Sequence, residues 1–325
     1  MNMSGQISGK YFLAGYTVSM YTLTRKKLYI LCNLSLITAA FISGLSFVAQ
    51  KIGMNFVGPF TFNTLRSFLG FFSLIPLIFL FGKSGKINLR SFNSELFKGG
   101  FFSGLILFIA FSINQYCMIY ADAGKAGFIT SLYIIFVPVI AVFLKHKLTV
   151  NVSLSIVIAL CGLYMLCAKD TALLGLWDLL LLLSAFFFAM HIITVSHYSK
   201  KTDAVKLSCM QFLTAGILSL PLMFIFETPQ ASEILAGWKP ILFIGVIVTA
   251  GAYTFQIFGH KATNPVLATL ILSSEAVFAV LGGIFILGES LSTREIFGCL
   301  VMIFAIILSQ IHIKNKKILK ETVNE

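Results

Sequence analysis

Ten stretches of roughly 20 residues, the length of helix that crosses a hydrocarbon core about 30 Å thick, run through this chain almost free of charge. They span 28–50, 58–81, 98–120, 126–144, 149–168, 174–195, 206–226, 240–259, 265–287 and 295–313. Backbone placed in lipid must satisfy its own hydrogen bonds, which a helix does. The pattern therefore predicts an all-α membrane protein with ten transmembrane helices. Only 11% of the 325 residues are charged, against about 25% in a soluble domain. That excludes an ordinary cytosolic enzyme, a disordered chain and a disulfide scaffold. Cys32, Cys117, Cys161, Cys167, Cys209 and Cys299 all fall inside apolar stretches with no C-x-x-C pair, so they read as small packing residues.

The net charge of +12 comes from short clusters between the apolar runs. Contact with anionic lipid accounts for them more simply than nucleic acid does. Counting Lys and Arg on alternate sides gives 18 on the side of the N-terminus and 5 on the other, with Arg66 inside the second segment. The positive-inside rule then places both termini in the cytoplasm and favours an even helix count. The first 24 residues hold Lys10 and no continuous apolar core, so they read as a loosely ordered cytoplasmic lead-in and not as a cleavable signal.

The two halves also resemble each other. The run Leu65 to Leu77 aligns with Met210 to Leu222, laying Pro76 over Pro221, and Leu144 to Thr149 falls over Leu287 to Ser292. The offset stays between 143 and 145 residues. Five helices per half is an odd number, so the second half inserts upside down: an inverted repeat, recurrent in secondary transporters, with the substrate site near the midplane. The expected organisation is a cytoplasmic N-terminal segment 1–27, a first repeat 28–168, a second repeat 169–313 and a basic cytoplasmic tail 314–325.

The run Ser273 to Ser292 (SSEAVFAVLGGIFILGESLS), followed by Gly298, resembles the closing part of an EamA repeat, in the drug/metabolite transporter superfamily. Phe128 to Val139 (FITSLYIIFVPV), continuing to Gly162, is similar to the matching part of the N-terminal repeat, and Arg66 fits the same pattern. The likeness covers about residues 28–311. It implies two inverted five-helix repeats, a central cavity and transport of small metabolites by alternating access. Lys145-His146-Lys147 stands where Gly-Glu often closes the first repeat.

A charge at the bilayer centre costs about 2.5–3.5 kcal/mol on insertion scales, so it faces a partner or a wet cavity. Glu275 lies near the middle of the ninth segment. It reads either as a cavity carboxylate that meets a substrate ammonium or takes a proton, or as a packing carboxyl bonded to Ser273 or Ser274. Arg66 in the second segment suits a substrate carboxylate through its fork of donors. Its alternatives are an ion pair with Glu275 and snorkelling to the outer interface. Both groups in one cavity would suit a zwitterion such as an amino acid. His191 in the sixth segment is a proton-relay candidate beside Glu275, or a hydrogen-bonded packing residue.

Asn114, Gln115 and Tyr116 in the third segment, Tyr133 in the fourth, and Tyr253 and Gln256 in the eighth form a second set, either ligand contacts or interhelical glue. Trp177 and Asp178 read as an interfacial aromatic and a solvated acid, and Glu289 as a surface partner of Arg294. Pro76, Pro138 and Pro221 sit within helices.

The leading function is secondary transport of small organic metabolites, with membrane lipids as partners and no cofactor. No G-x-x-x-x-G-K-[ST] phosphate loop is present to drive it with ATP. A polytopic membrane enzyme lacks its motifs: no H-E-x-x-H, no G-x-S-x-G and no close intramembrane carboxylate pair. A non-transporting scaffold or sensor is the other alternative. The short loops suit a bacterial inner membrane.

Overall fold

The structure, a computed structural model, describes residues 5–83, 93–121, 123–144, 150–167, 175–279, 281 and 292–310. Lys145-His146-Lys147, Glu289, the far end of the ninth segment and the 314–325 tail lie outside them. Among the described residues all regular structure is helical. In chain order the helices are α1 Gly5–Gly53, α2 Pro59–Lys83, α3 Ser94–Cys117, α4 Ala123–Ser131, α5 Tyr133–Phe143, α6 Val150–Cys167, α7 Leu176–Ser199 and α8 Ala204–Phe226. There follow α9 Ala231–Ala236, α10 Trp238–Leu242, a π-helix Phe243–Ala252, α11 Tyr253–Gly259, α12 Pro265–Leu272 and α13 Thr293–Gln310.

Among the described residues six stretches are long and apolar enough to cross a membrane: Lys27–Gly53, Pro59–Leu80, Ser94–Cys117, Leu176–Ser199, Ala204–Phe226 and Trp238–Gly259. Four shorter apolar ones are Ile129–Phe143, Val150–Met165, Pro265–Ala279 and Ile296–Ser309. Their outward faces are apolar too, with Phe72, Phe79, Phe143 and Phe226 exposed, as lipid-facing surface requires. α1 starts inside the segment read as a loose lead-in, because no proline interrupts the chain before residue 59.

Helix ends are fixed by side chains that take orphan amides. Asn93 accepts from the Leu96 amide at 2.9 Å, Asp203 from the Val205 amide at 2.9 Å, and Asn264, ahead of Pro265, from the Leu267 amide at 2.8 Å. Asp178 is buried and accepts from the Gly175 amide at 2.9 Å. The solvated acid expected there is thus a cap whose carboxylate is turned back onto the backbone. Two long-range caps also act. Lys51 donates to the carbonyls of Met118 at 2.8 Å and Ala121 at 2.9 Å beyond the end of α3. Glu227 accepts from the Phe60 and Thr61 amides at 2.7 and 2.8 Å, at the start of α2. Both lie on one face of the bundle, here the Lys51 face; Lys200 and the exposed Lys201–Glu95 ion pair mark the other.

The segment 126–144 is not one uninterrupted helix. A tightened turn at Leu132 divides α4 from α5, and another at Ser273-Ser274 divides α12 from helix at 275–279. At both, amides bond three residues back: Leu132 to the Ile129 carbonyl at 3.1 Å, Ser274 to that of Ile271 at 3.1 Å. The Ser273 and Ser274 hydroxyls also bond the Leu270 and Ile271 carbonyls, at 2.8 and 2.6 Å. Serine competing for the backbone in this way bends helices. α5 packs on α12, so the two interrupted helices meet. α2 packs on α8, α6 on α13, α3 against α7 and α8, and α1 against the π-helix, α11 and α12.

Candidate functional site

Where the interrupted helices meet, a cavity of about 70 Å³ opens among α1, α2, α3, α4, α5, α7, the π-helix, α11 and α12. It is lined by Arg66, Asn114, Tyr133, His191, Tyr253, Gln256 and Glu275, and also by Ser43, Ser46, Phe47, Gln50 and Thr130. That space holds a few waters, so any larger occupant requires the helices to part.

Arg66 is 3% exposed on α2. Its Nε donates to Thr249 Oγ1 at 3.2 Å and its Nη1 to Gln50 Oε1 at 3.4 Å, while Gln50 Nε2 donates to Ser46 Oγ at 3.1 Å. The guanidinium carbon lies 3.9 Å above the centre of the Phe111 ring, a favourable cation–π placement. Thr249 belongs to the π-helix, a rare conformation that recurs at functional sites. Burial this complete sets aside snorkelling.

Glu275 sits just past the Ser273-Ser274 turn and is 8% exposed. Its Oε1 accepts from the Tyr133 hydroxyl at 2.8 Å and from Ser131 Oγ at 3.4 Å, both at the Leu132 turn. The bonding expected from Ser273 or Ser274 is absent; those hydroxyls go to their own helix. α1 reaches this point because residue 44 is glycine: a Cβ there would meet the Glu275 carbonyl oxygen at 2.5 Å and Ala279 N at 2.8 Å. Among the described residues neither Glu275 nor Arg66 forms a salt bridge, so the carboxyl and the guanidinium share a cavity without pairing.

On the other wall His191 Nε2 donates to Gln211 Oε1 at 3.0 Å, and its ring lies 6.0 Å from that of Tyr253. Asn114 Nδ2 donates to Thr130 Oγ1 at 2.8 Å. Gln115 and Tyr116 lie off the cavity. Gln115 is wholly buried beside it, whereas Tyr116 is 38% exposed in a cluster with Tyr120 and Trp177. Successive helical residues point about 100° apart, so only Asn114 of these three meets the cavity. Sequence reasoning missed Ser43, Ser46, Gln50 and Thr249. The first three recur at i, i+3 and i+7, one polar stripe on an otherwise apolar helix, and that spacing was the available signal.

Ten of the lining residues form five pairs, each 145 residues apart: 43 with 188, 46 with 191, 47 with 192, 111 with 256 and 130 with 275. The profile of the EamA-like transporter family matches the chain twice, over residues 30–168 and 175–310. An uncharacterized transporter of Archaeoglobus fulgidus is 29% identical over 289 residues, 89% of this chain and 88% of that one. The uncharacterized transporter YoaV of Bacillus subtilis is 25% identical over 295 residues, 88% of this chain and 98% of its own. A solved crystal structure shares the fold with a TM-score of 0.70 at 16% identity, over 86% of this chain and 96% of that chain. This chain, an integral membrane protein with many membrane-spanning helices, belongs to the EamA-like transporter family.

Proposed function

We propose that this transporter carries a small zwitterionic metabolite, amino-acid-like, by alternating access between two inverted five-helix repeats, with ten membrane-spanning helices in all. One observation carries the substrate class. Arg66 and Glu275 face one cavity from different halves of the chain, both deeply buried and neither neutralised by the other. A buried charge kept unpaired at such cost is explained by a ligand that supplies both counter-charges, a carboxylate for Arg66 and an ammonium for Glu275.

Several features support the repeat reading. Six long and four shorter apolar helices give ten candidate spans. The family profile matches each half, and the lining residues pair at one offset. Helix packing also exchanges between halves: α3 on α7 mirrors α11 on α1, while α2 on α8 and α6 on α13 mirror themselves. Interrupted helices at the substrate site are a recurrent transporter device. The distribution of Lys and Arg favours cytoplasmic termini in a bacterial inner membrane. Glu275 and His191 are the groups able to take a proton during the cycle.

The test is uptake by proteoliposomes of labelled amino acids and related metabolites, with and without an imposed pH gradient. Saturable uptake above empty liposomes that falls in both Glu275→Gln and Arg66→Ala supports this site. Uptake intact in both variants would remove it. No uptake of any zwitterion, from folded protein, would overturn the substrate class.

A further inference from the structure

Two side chains beside the cavity are buried without partners. Gln115 is 1% exposed and His260 0%. In each, both polar side-chain atoms lack a hydrogen-bond partner among the described residues. Buried polar groups are nearly always bonded, and each exception calls for an explanation. These two stand 145 residues apart, the offset that relates the paired lining residues.

Their positions relative to the cavity are opposite. On α11, Tyr253 and Gln256 line the cavity and His260 follows Gln256 by four residues, one turn further along the same face. It is within electrostatic reach of His191 in the cavity wall and of Lys200 at the end of α7. On α3, Phe111 lines the cavity and Gln115 follows it by four residues, towards the end that Lys51 caps. One residue therefore continues the cavity stripe towards the Lys200 face and the other towards the Lys51 face.

We propose that Gln115 and His260 line the two closed half-passages joining the cavity to the opposite faces, each becoming wetted when its own side opens. This rests on the alternating-access reading above. It assigns these groups a second environment, in which water or the passing substrate bonds them. A packing role would leave such polar atoms no advantage over apolar ones of the same shape. Two further orphan atoms lie on neighbouring side chains: Ser112 Oγ, three residues before Gln115 on α3, and Nε2 of Gln211, whose Oε1 holds His191.

The experiment places single cysteines at Gln115→Cys and His260→Cys in the full chain, in right-side-out and in inverted membrane vesicles. A charged, membrane-impermeant maleimide is added, and labelling is read peptide by peptide by mass spectrometry. The chain's own Cys117 at the end of α3 and Cys32 on α1, which packs against α11, both wholly buried and neither lining the cavity, are the references. The expected result is that His260→Cys reacts from the Lys200 face and Gln115→Cys from the Lys51 face. Each should react at least about tenfold faster than its reference, since a buried thiol reacts only through opening. A site as slow as its reference from both faces, or reacting from the wrong face, overturns the assignment. Proteoliposome uptake by the parent chain separates the two failures. Uptake without labelling sinks this inference alone, and absence of both sinks the transport mechanism with it. Gln115→Leu and His260→Leu serve where a cysteine variant does not fold. Unchanged turnover in both would also overturn the proposal.

Discussion

Arg66 in α2 and Gln211 in α8 stand 145 residues apart, in stretches that align around Pro76 and Pro221. Arg66 turns to Gln50 on α1, which in turn holds Ser46. Gln211 turns to His191 on α7, the residue 145 beyond Ser46. The two walls thus place polar groups at corresponding positions but give them different chemistry: a permanent cation on one side, an amide and an imidazole on the other. The carboxylate obeys the same rule in reverse. Glu275 in the second half corresponds to Thr130 in the first. A duplicated scaffold supplies the positions, and single substitutions at one copy supply each charge. Symmetry thus places the cavity's polar positions, and departures from it place Arg66 and Glu275 there.

Removing the cation is the largest perturbation of these walls. Arg66→Ala deletes bonds to Thr249 and Gln50 together with the charge proposed to meet a substrate carboxylate. Hydrogen bonds to charged groups are worth about 1.5–3 kcal/mol each, so uptake should fall by about 100-fold or more, with the protein still inserted and monodisperse. Next in size is the carboxylate. Glu275→Gln keeps the shape and the acceptor for Tyr133 but removes the charge. Uptake should fall about tenfold or more, as for a lost charge-assisted contact, and what remains should no longer respond to an imposed pH gradient. A variant whose uptake still rises with the gradient would move proton coupling to His191.

The comparison is sharpened by exchanging the chemistry of the two walls. The double variant Arg66→Gln with Gln211→Arg keeps the same groups at positions that mirror each other. We expect it to stay as inactive as Arg66→Gln alone, because the Phe111 ring, Thr249 and Gln50 that hold the guanidinium remain on the first wall. Recovery to within a few-fold of the parent would mean that the walls are interchangeable and that only net charge matters.

How much of this the sequence revealed follows from the physics of each signal. Apolar length and the absence of charge are long-range and redundant, so the membrane class and the six long spans were legible. Buried charge is rare in lipid and marks itself, so Arg66 and Glu275 stood out and the structure brings them to one cavity. Polar residues of neutral character were harder. Asn114, Gln115 and Tyr116 are consecutive, and without the rotation of α3 there was no basis for preferring Asn114. The interruptions at Leu132 and Ser273-Ser274 left little trace, because isolated serines are common in membrane helices and bond their own backbone. Thr249 depends on the π-helix, which widens the turn around it and leaves no periodic mark in the sequence.

Gly44 offers a smaller effect, on stability. It lets α1 approach the Glu275 backbone, where an added methyl would lie 2.7 Å from Phe278 Cβ. Overpacking of this kind costs about 1–3 kcal/mol, so Gly44→Ala should lower the unfolding temperature in detergent and slow uptake in proportion. An unchanged melting curve would show that α1 and the 275–279 helix have room to part at no cost.

Two tyrosines of the first half set a direct contact against none. Tyr133→Phe removes the 2.8 Å bond to Glu275 Oε1, a charge-assisted contact of about 1.5–3 kcal/mol, and should cost uptake about tenfold. Tyr116→Phe alters only the exposed cluster with Tyr120 and Trp177. Exposed substitutions stay within about 0.5 kcal/mol, so its uptake should match the parent within about twofold. Comparing initial rates of the two variants in one preparation tests whether α3 turns this face outward. If Tyr116→Phe were the slower of the two, the hydroxyl that matters would lie on the lipid-facing side of α3. The cavity would then have to extend between α3 and Trp177.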